Sequence, residues 1–324
     1  MHLLNTTTRQ VSQVPNGERW KYAILSHTWG SEEITFQELN KYHERRFRGS
    51  IYSRAGYQKI RGCCDRAKRD GYDWVWIDTC CIDKTSSAEL SEAINSMFKW
   101  YRESKVCYVF LSDVSDPNED FSTNNSSFRA SRWFTRGWTL QELLAPRKIL
   151  FYDCRWKLIG QLSLRSKLCD VVSEITSIPT AYLEGAPLSM ANIAHRMSWA
   201  SKRETTREED IAYCLLGIFD VNMPLLYGEG ARAFRRLQEE IMKHTNDQTL
   251  LAWGSFTRDK YYMPEVELEQ QEILAASPAD FEECNDLTQC PIESASDMSP
   301  YQIPYQMTNS CLRIKLPLRD IRET

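Results

Sequence analysis

The sequence predicts an α/β fold with a doubly wound parallel sheet flanked by helices, and three observations support this prediction. Short apolar segments of strand length alternate with helix-patterned segments over about 130 residues. Several of these apolar segments carry apolar side chains at consecutive positions, as in Trp74 to Ile77. Parallel strands have this pattern because helices cover both faces of their sheet. Polar residues follow the predicted strands directly, where such sheets bind ligands.

Four segments are predicted as strands because they are short, apolar and bounded by polar or glycine-containing turns. They are Tyr22 to Ser26, Trp74 to Ile77, Val106 to Leu111 and Ile149 to Tyr152. The predicted helices between them are Tyr57 to Arg69, Ser91 to Arg102 and a short one through Gln141 to Leu143. Gly71 is expected to end the first helix.

The pattern changes after Trp156, where helix-patterned segments follow one another. They are Leu162 to Thr176, Met190 to Ser201, Glu208 to Phe219 and Ala231 to His244. Leu312 to Leu316 alternates at period two and predicts a strand in a small β-containing tail. We therefore divide the chain into an N-terminal segment (1–20), an α/β domain (21–155), a helical extension (156–250) and a small mixed α/β tail (251–324).

Composition narrows the classes of function. An apolar content of 42% predicts a folded, soluble protein, and a net charge of −4 without a basic stripe argues against a nucleic-acid partner. The sequence contains no run of 18 apolar residues, so no membrane span is predicted. Residues 1–20 lack the apolar core of a signal peptide.

The 11 cysteines are predicted to be free thiols. An odd number without a secretion signal favours a reducing compartment, and we expect a cytoplasmic location. Neither cysteines nor histidines show the spacing of a zinc site, so no metal site is predicted.

The segment from Ser131 to Leu144 contains the strongest candidate residues for a ligand site. It places Arg136, Trp138 and Glu142 close together before the strand predicted to start at Ile149. A pocket that stacks an aromatic ligand and holds one carboxylate against it needs these residue types. Glu142 is either that carboxylate, a solvated helix residue, or a structural partner for Arg136. Arg136 either clamps a phosphate or forms a buried ion pair. Trp138 either stacks on the ligand or packs in the core.

Residues after the first two strands are further candidates. Ser26 either bonds a ligand or caps a helix, and Trp29 either stacks on a ligand or packs at the sheet edge. Asp78 and Asp83 together suit Mg²⁺ or an acid–base pair, although capping of a helix or a turn is the simpler role for them. His27 is adjacent to Ser26, and without a third orienting group the two do not form a nucleophile–base pair.

Three blocks together resemble the fungal HET (heterokaryon incompatibility) domain. They are Tyr22 to Gly30, Trp76 to Lys84 and Arg136 to Glu142. The stretch from Arg207 to Gly230 is similar to the extension often found behind HET domains, especially those fused to nucleotide-binding and repeat modules. The resemblance implies a role in cell death and self/non-self recognition.

HET domains are in turn similar to TIR domains, some of which cleave NAD. The resemblance therefore implies a TIR-like sheet and places the hydrolase carboxylate on Glu142, with Ser26, Trp29, Asp78, Arg136 and Trp138 around the ligand. This chain has several extra residues between Trp133 and Glu142, which departs from the TIR pattern. NAD would be a substrate, and no cofactor is expected.

The resemblance also implies partners. Self-association is expected to activate the domain, and a nucleotide-binding or repeat protein is a candidate regulator. TIR-like domains also act as assembly adaptors without chemistry, so a non-enzymatic signalling module is the alternative. A decayed copy is a third possibility, which the polar residues retained at the strand ends disfavour.

Overall fold

The structure is a computed structural model, and it describes residues 1–14, 20–42, 51–116, 119–254 and 273–285, with Leu287 and two short strands at 306–307 and 312–313. The chain divides into two compact units. The first comprises Met1–Leu188 with Arg203–Thr206, and the second comprises Ser189–Lys202 with Arg207–Thr324. The four-part division predicted from the sequence stays a prediction.

The first unit is built on a seven-stranded sheet with the strand order β2-β1-β4-β3-β5-β6-β7. The strands are β1 (His2–Asn5), β2 (Val11–Gln13), β3 (Tyr22–His27), β4 (Trp74–Trp76), β5 (Val106–Phe110), β6 (Ile149–Tyr152) and β7 (Leu158–Leu162). The pairs β4–β3, β3–β5 and β5–β6 are parallel. The four strands predicted from apolar segments form this parallel centre.

The prediction of a wholly parallel sheet is wrong at both edges. At one edge β1 pairs antiparallel with β4 and with β2, and at the other β7 pairs antiparallel with β6. An antiparallel strand can follow its neighbour through a short turn, as β7 follows β6, and needs no helix as a crossover. Residues 1–14 therefore contribute two strands to the sheet, and Leu3 and Leu4 of β1 are fully buried.

Helices cover the central strands, all residues of β3 and β5 being buried. In chain order the helices of this unit are α1 (Phe36–Tyr42), α2 (Ala55–Arg69), α3 (Asp78–Cys81), α4 (Ser87–Glu103), α5 (Thr139–Leu144), α6 (Lys167–Thr176) and α7 (Thr180–Leu183). Gly71 follows α2 with a φ of 84°, as predicted for its end. Helix α4 begins four residues before the predicted start, because Ser86 caps it by accepting from the Glu89 backbone N–H.

Two predicted helices after Trp156 differ from the observed ones. The segment predicted to start at Leu162 becomes helical only at Lys167, since Leu162 ends β7. In the second unit, the segment 208–219 forms two short helices, α9 (Asp210–Tyr213) and α10 (Leu216–Phe219). They lie between α8 (Ile193–Ser198) and α11 (Arg232–His244).

The described part of the tail contains a 3-10 helix, Pro278–Cys284, and two paired strands, β8 (Gln306–Met307) and β9 (Leu312–Arg313). The remainder of the strand predicted over 312–316 lies outside the described residues. Within the described ranges, no helix has both the length and the apolar character needed to cross a membrane. The cysteines of these ranges are all free, and all but Cys154 are buried.

Candidate functional site

The polar residues predicted to meet at the carboxyl edge of the sheet lie at three neighbouring elements. Ser26 and His27 end β3, and Asp78 begins α3 directly after β4. Glu142 lies in the first turn of α5, which follows β5 and precedes β6. Because β3 lies between β4 and β5, these elements converge at one edge.

Ser26 and Glu142 form the centre of a buried hydrogen-bonded cluster. The Ser26 hydroxyl donates to Glu142 Oε2 at 2.5 Å. The Trp133 indole Nε1 donates to the same Ser26 oxygen at 2.8 Å. Ser26 and Trp133 are almost fully buried, and Glu142 is 7% exposed. The structure thus brings together two residues predicted from the sequence and adds Trp133, which was not predicted.

Helix α5 places Glu142 in the interior because all six of its residues are buried. Burial raises the pKa of Glu142 to about 8. Hydrogen bonds from Ser26 and Tyr101 and the charge of Arg203 oppose this rise, while the charge of Asp78 adds to it. The Glu142 carboxyl group is therefore mostly protonated at neutral pH, as a carboxyl group desolvated without an adjacent cation should be.

Asp78 forms a second cluster with His27 and Trp29. Its Oδ1 lies 2.8 Å from His27 Nε2, and its Oδ2 accepts from the Trp29 indole N–H at 2.8 Å. Burial alone would raise the pKa of Asp78, but the hydrogen bond and charge of His27 outweigh burial and hold this pKa far below its usual range. Asp78 is thus a fixed negative charge that orients the His27 ring.

Trp29 is exposed rather than part of the core, with 52% of its surface accessible. The Lys84 ammonium nitrogen lies 3.5 Å from the centroid of its ring, in cation–π geometry. Asp83 does not join Asp78, because its carboxylate accepts from the Thr85 backbone N–H and from the Gln37 side chain. For Asp83 the turn-capping alternative is therefore correct.

Arg136 and Trp138 lie beside the start of α5. Arg136 donates to the Thr206 hydroxyl at 2.9 Å and forms no ion pair with Glu142. Its carbonyl accepts from the Arg203 guanidinium at 2.9 Å. Trp138 is half-buried at the N-cap of α5. The structural pairing of Arg136 with Glu142 that the sequence allowed is thus not formed, and the cation that acts on the Glu142 carboxyl group is Arg203.

Sequence reasoning missed His27, Trp133 and a buried ion pair between Glu33 and Lys59. The Lys59 ammonium lies 2.5 Å from Glu33 Oε1, which is 4.0 Å from His27 Nδ1. His27 was set aside because no orienting group was adjacent, and Asp78 supplies one from 51 residues away. Only the strand order reveals that partner. In the described ranges, no group of three or more His, Cys, Asp or Glu side chains could hold a metal ion.

Comparisons with known proteins support the resemblance noted in the sequence. Residues 22–128 match the family model described as heterokaryon incompatibility protein (HET). Residues 232–324 match a model described as a domain of unknown function, DUF8212. The chain is 48% identical over 241 residues to the vegetative incompatibility protein HET-E-1 of Podospora anserina. That alignment covers 72% of this chain and 17% of the relative. No solved structure matches the chain.

Proposed function

Because the chain carries a HET domain and so belongs to the fungal heterokaryon incompatibility family, we propose that it is an incompatibility effector that cleaves NAD or a related nucleotide. The chain spans 17% of the length of its curated relative, so the proposal concerns this portion alone. The observation that carries it is the Ser26–Glu142 hydrogen bond at the carboxyl edge of the sheet. Family resemblance supports the incompatibility role, and the chemistry of Glu142 supports the reaction.

The reaction would use Glu142 to stabilise positive charge. Cleavage of the nicotinamide–ribose bond releases neutral nicotinamide and develops a cation at the anomeric carbon. A nearby carboxylate would stabilise this cation until water adds to it and loses a proton. Glu142 holds its proton at neutral pH because it is buried. A cationic pyridinium ring beside it would favour the ionised form and lower this pKa. The substrate would therefore generate the carboxylate that the transition state needs.

Self-association would switch the reaction on. Glu142 is 7% exposed and Trp133 is 1% exposed, so a ligand reaches the carboxyl group only after the surrounding residues move. Association between copies of the chain, or with a nucleotide-binding or repeat regulator, would provide this change. Trp29 and Asp78 would contact the ligand at the sheet edge, and Arg136 and Trp138 would do so beside α5.

Nicotinamide release tests this function. Purified protein, concentrated and crowded to favour association, is incubated with NAD, and nicotinamide is followed by chromatography. Glu142→Gln should reduce the rate by about 10²-fold or more, the loss expected when a charge-stabilising group is removed. The control is Glu103→Gln, a neutralised glutamate that is 54% exposed. Equal rates in the wild type and Glu142→Gln would refute the proposal.

A non-enzymatic assembly module is the second candidate, and one observation favours it. Ser26, Trp133 and Glu142 satisfy one another's hydrogen bonds inside the fold, as a purely structural cluster would. In that case Glu142→Gln should still associate and still kill cells, since a glutamine side chain can accept the same bond from Ser26. Loss of killing together with loss of nicotinamide release would exclude this alternative.

A further inference from the structure

A cavity of about 690 Å³ lies beside the carboxyl ends of β3 and β5. Thr28, just after β3, and Phe110, at the end of β5, form part of its lining. Residues of α2, including Lys59 and Gly62, form another part of the lining. This volume is in the range of pockets that hold small-molecule ligands.

The cavity is distinct from the Glu142 cluster. Neither Glu142, Ser26 nor Trp133 lines it. Ser26 and His27 are consecutive residues of β3, so their side chains leave the sheet on opposite faces. Ser26 contacts Glu142 of α5, whereas His27 faces Glu33, which lines the cavity together with Lys59. A ligand in this cavity would therefore occupy the other face of the sheet from Glu142.

The cavity is lined by four cationic side chains and three acidic ones, which leaves one net positive charge: Lys59, Arg61, Arg132 and Arg155 against Glu32, Glu33 and Asp65. Burial lowers the pKa of Lys59, and the charge of Arg132 acts in the same direction, although Glu33 opposes both. Arg132 and Lys59 both line the cavity, so an anion inside it would be attracted by both positive charges. Arg155 also lines the cavity, and its guanidinium has no hydrogen bond or ion pair with any described residue. Arginine is well suited to bind phosphate oxygens in pairs.

Two aromatic side chains, Phe110 and Trp156, also line the cavity and form its aromatic wall. The rings of Phe110 and Trp156 are 5.0 Å apart between centroids. Trp156 has a φ of 61°, in the left-handed region, and the Asp153 carboxylate holds this turn by accepting from the backbone N–H of Arg155 and Lys157. A turn fixed in this way presents Arg155 and Trp156 together to the cavity.

Glu33 supplies an acceptor. Its Oε1 accepts from Lys59 and, at 2.7 Å, from the Gly30 backbone N–H. Its Oε2 is buried and has no hydrogen-bond partner among the described residues. A buried acceptor of this kind is costly unless a donor reaches it, and a sugar hydroxyl is such a donor.

We propose that this cavity binds a nucleoside phosphate. Arg132, Arg155 and Lys59 would hold the phosphate, the wall of Phe110 and Trp156 would contact the base, and Glu33 would accept from the ribose. The site does not depend on cleavage at Glu142. It would give the domain a second nucleotide contact on the opposite face of the sheet.

Titration calorimetry of the full chain with AMP tests the site. We expect AMP to bind the wild type at least 10-fold more tightly than inorganic phosphate, because phosphate lacks the base and the ribose. Arg132→Glu with Arg155→Glu should weaken AMP binding by at least 10-fold. The control is Arg147→Glu with Lys21→Glu, which makes the same charge change at two exposed positions outside the cavity. Circular dichroism checks that each variant is folded.

Four results would overturn the assignment. Absence of AMP binding to the folded wild type would refute the site. Equal weakening in the control variant would attribute binding to net charge alone, and equal affinities for AMP and phosphate would refute the nucleoside class. Glu142→Gln separates this proposal from the cleavage reaction, because it should bind AMP as the wild type does. Loss of AMP binding in Glu142→Gln would place the nucleotide at the Glu142 cluster instead.

Discussion

At the scale of single residues, Glu142 makes the stability of the domain depend on pH. Its pKa is about 8 in the folded chain and near 4.5 when unfolded, so the folded state binds the proton more tightly. The stabilisation that comes from protonated Glu142 is fully present below pH 4.5 and is lost as the pH rises towards 8. The free energy of unfolding should fall by up to about 1.4 kcal/mol per pH unit in this window.

Glu142→Gln should remove this dependence, because glutamine is neutral at every pH and can still accept from Ser26. Urea unfolding at pH 4, below the unfolded-state pKa, and at pH 9 measures the difference. The variant and the wild type should have similar stability at the lower pH, and the variant should be more stable at the higher one. Parallel pH profiles for the two proteins would show that Glu142 is ionised in the fold.

Single residues also show how much of the candidate site can be predicted from the sequence. Ser26 was a candidate because it lies at the end of a predicted strand, and Glu142 because of the residue types around it and the resemblance to TIR domains. The parallel topology brings the two into contact. Trp133 was not a candidate, since its indole donor had no recognisable partner in the sequence. His27 was set aside because Asp78 is distant in the chain and close only after β3 and β4 pair.

At the scale of secondary-structure elements, the buried parallel strands were predictable and the edges were not. The central strands are consecutive apolar residues, whereas β2 has three residues and β7 is mostly accessible. Such short or mixed patterns resemble loops. Strand β1 nevertheless fills a central role, because it pairs with both β2 and β4.

Leu4→Ala tests the contribution of β1. Leu4 is fully buried and pairs with Val75 of β4, so its truncation should cost about 2–5 kcal/mol of unfolding free energy. Ser12→Ala in β2 is the control, since Ser12 is exposed and its change should stay within about 0.5 kcal/mol. Denaturant unfolding measures both. A loss below 1 kcal/mol for Leu4→Ala would mean that β1 is not part of the stable core.

At the scale of the whole molecule, a short segment from late in the chain completes the first unit. Residues 203–206 pair with the loop before α5, where Gly137 N–H donates to the Glu204 carbonyl at 2.9 Å. The Arg203 guanidinium donates to the Arg136 carbonyl and to the Thr139 hydroxyl. The environment of Glu142 therefore depends on residues some 60 positions further along the chain.

Arg203→Met should raise the pKa of Glu142 further, because the positive charge of Arg203 now lowers it. The pH at which stability stops falling should then move upward, while the lost hydrogen bonds cost about 1–3 kcal/mol at every pH. Urea unfolding between pH 5 and pH 10 measures both effects. In the Glu142→Gln background, Arg203→Met should cause the constant loss but no shift. A shift that persists in that background would have to come from another group.

The pairing of β5 with β6 has a consequence for how this domain can be divided. The family match ends at residue 128, but β6 and β7 follow it in the chain and complete the sheet. A fragment cut at that boundary would leave the apolar β5 with a row of unpaired backbone N–H and C=O groups. Such an open edge is a template for other chains, so the fragment would aggregate through edge-to-edge strand addition.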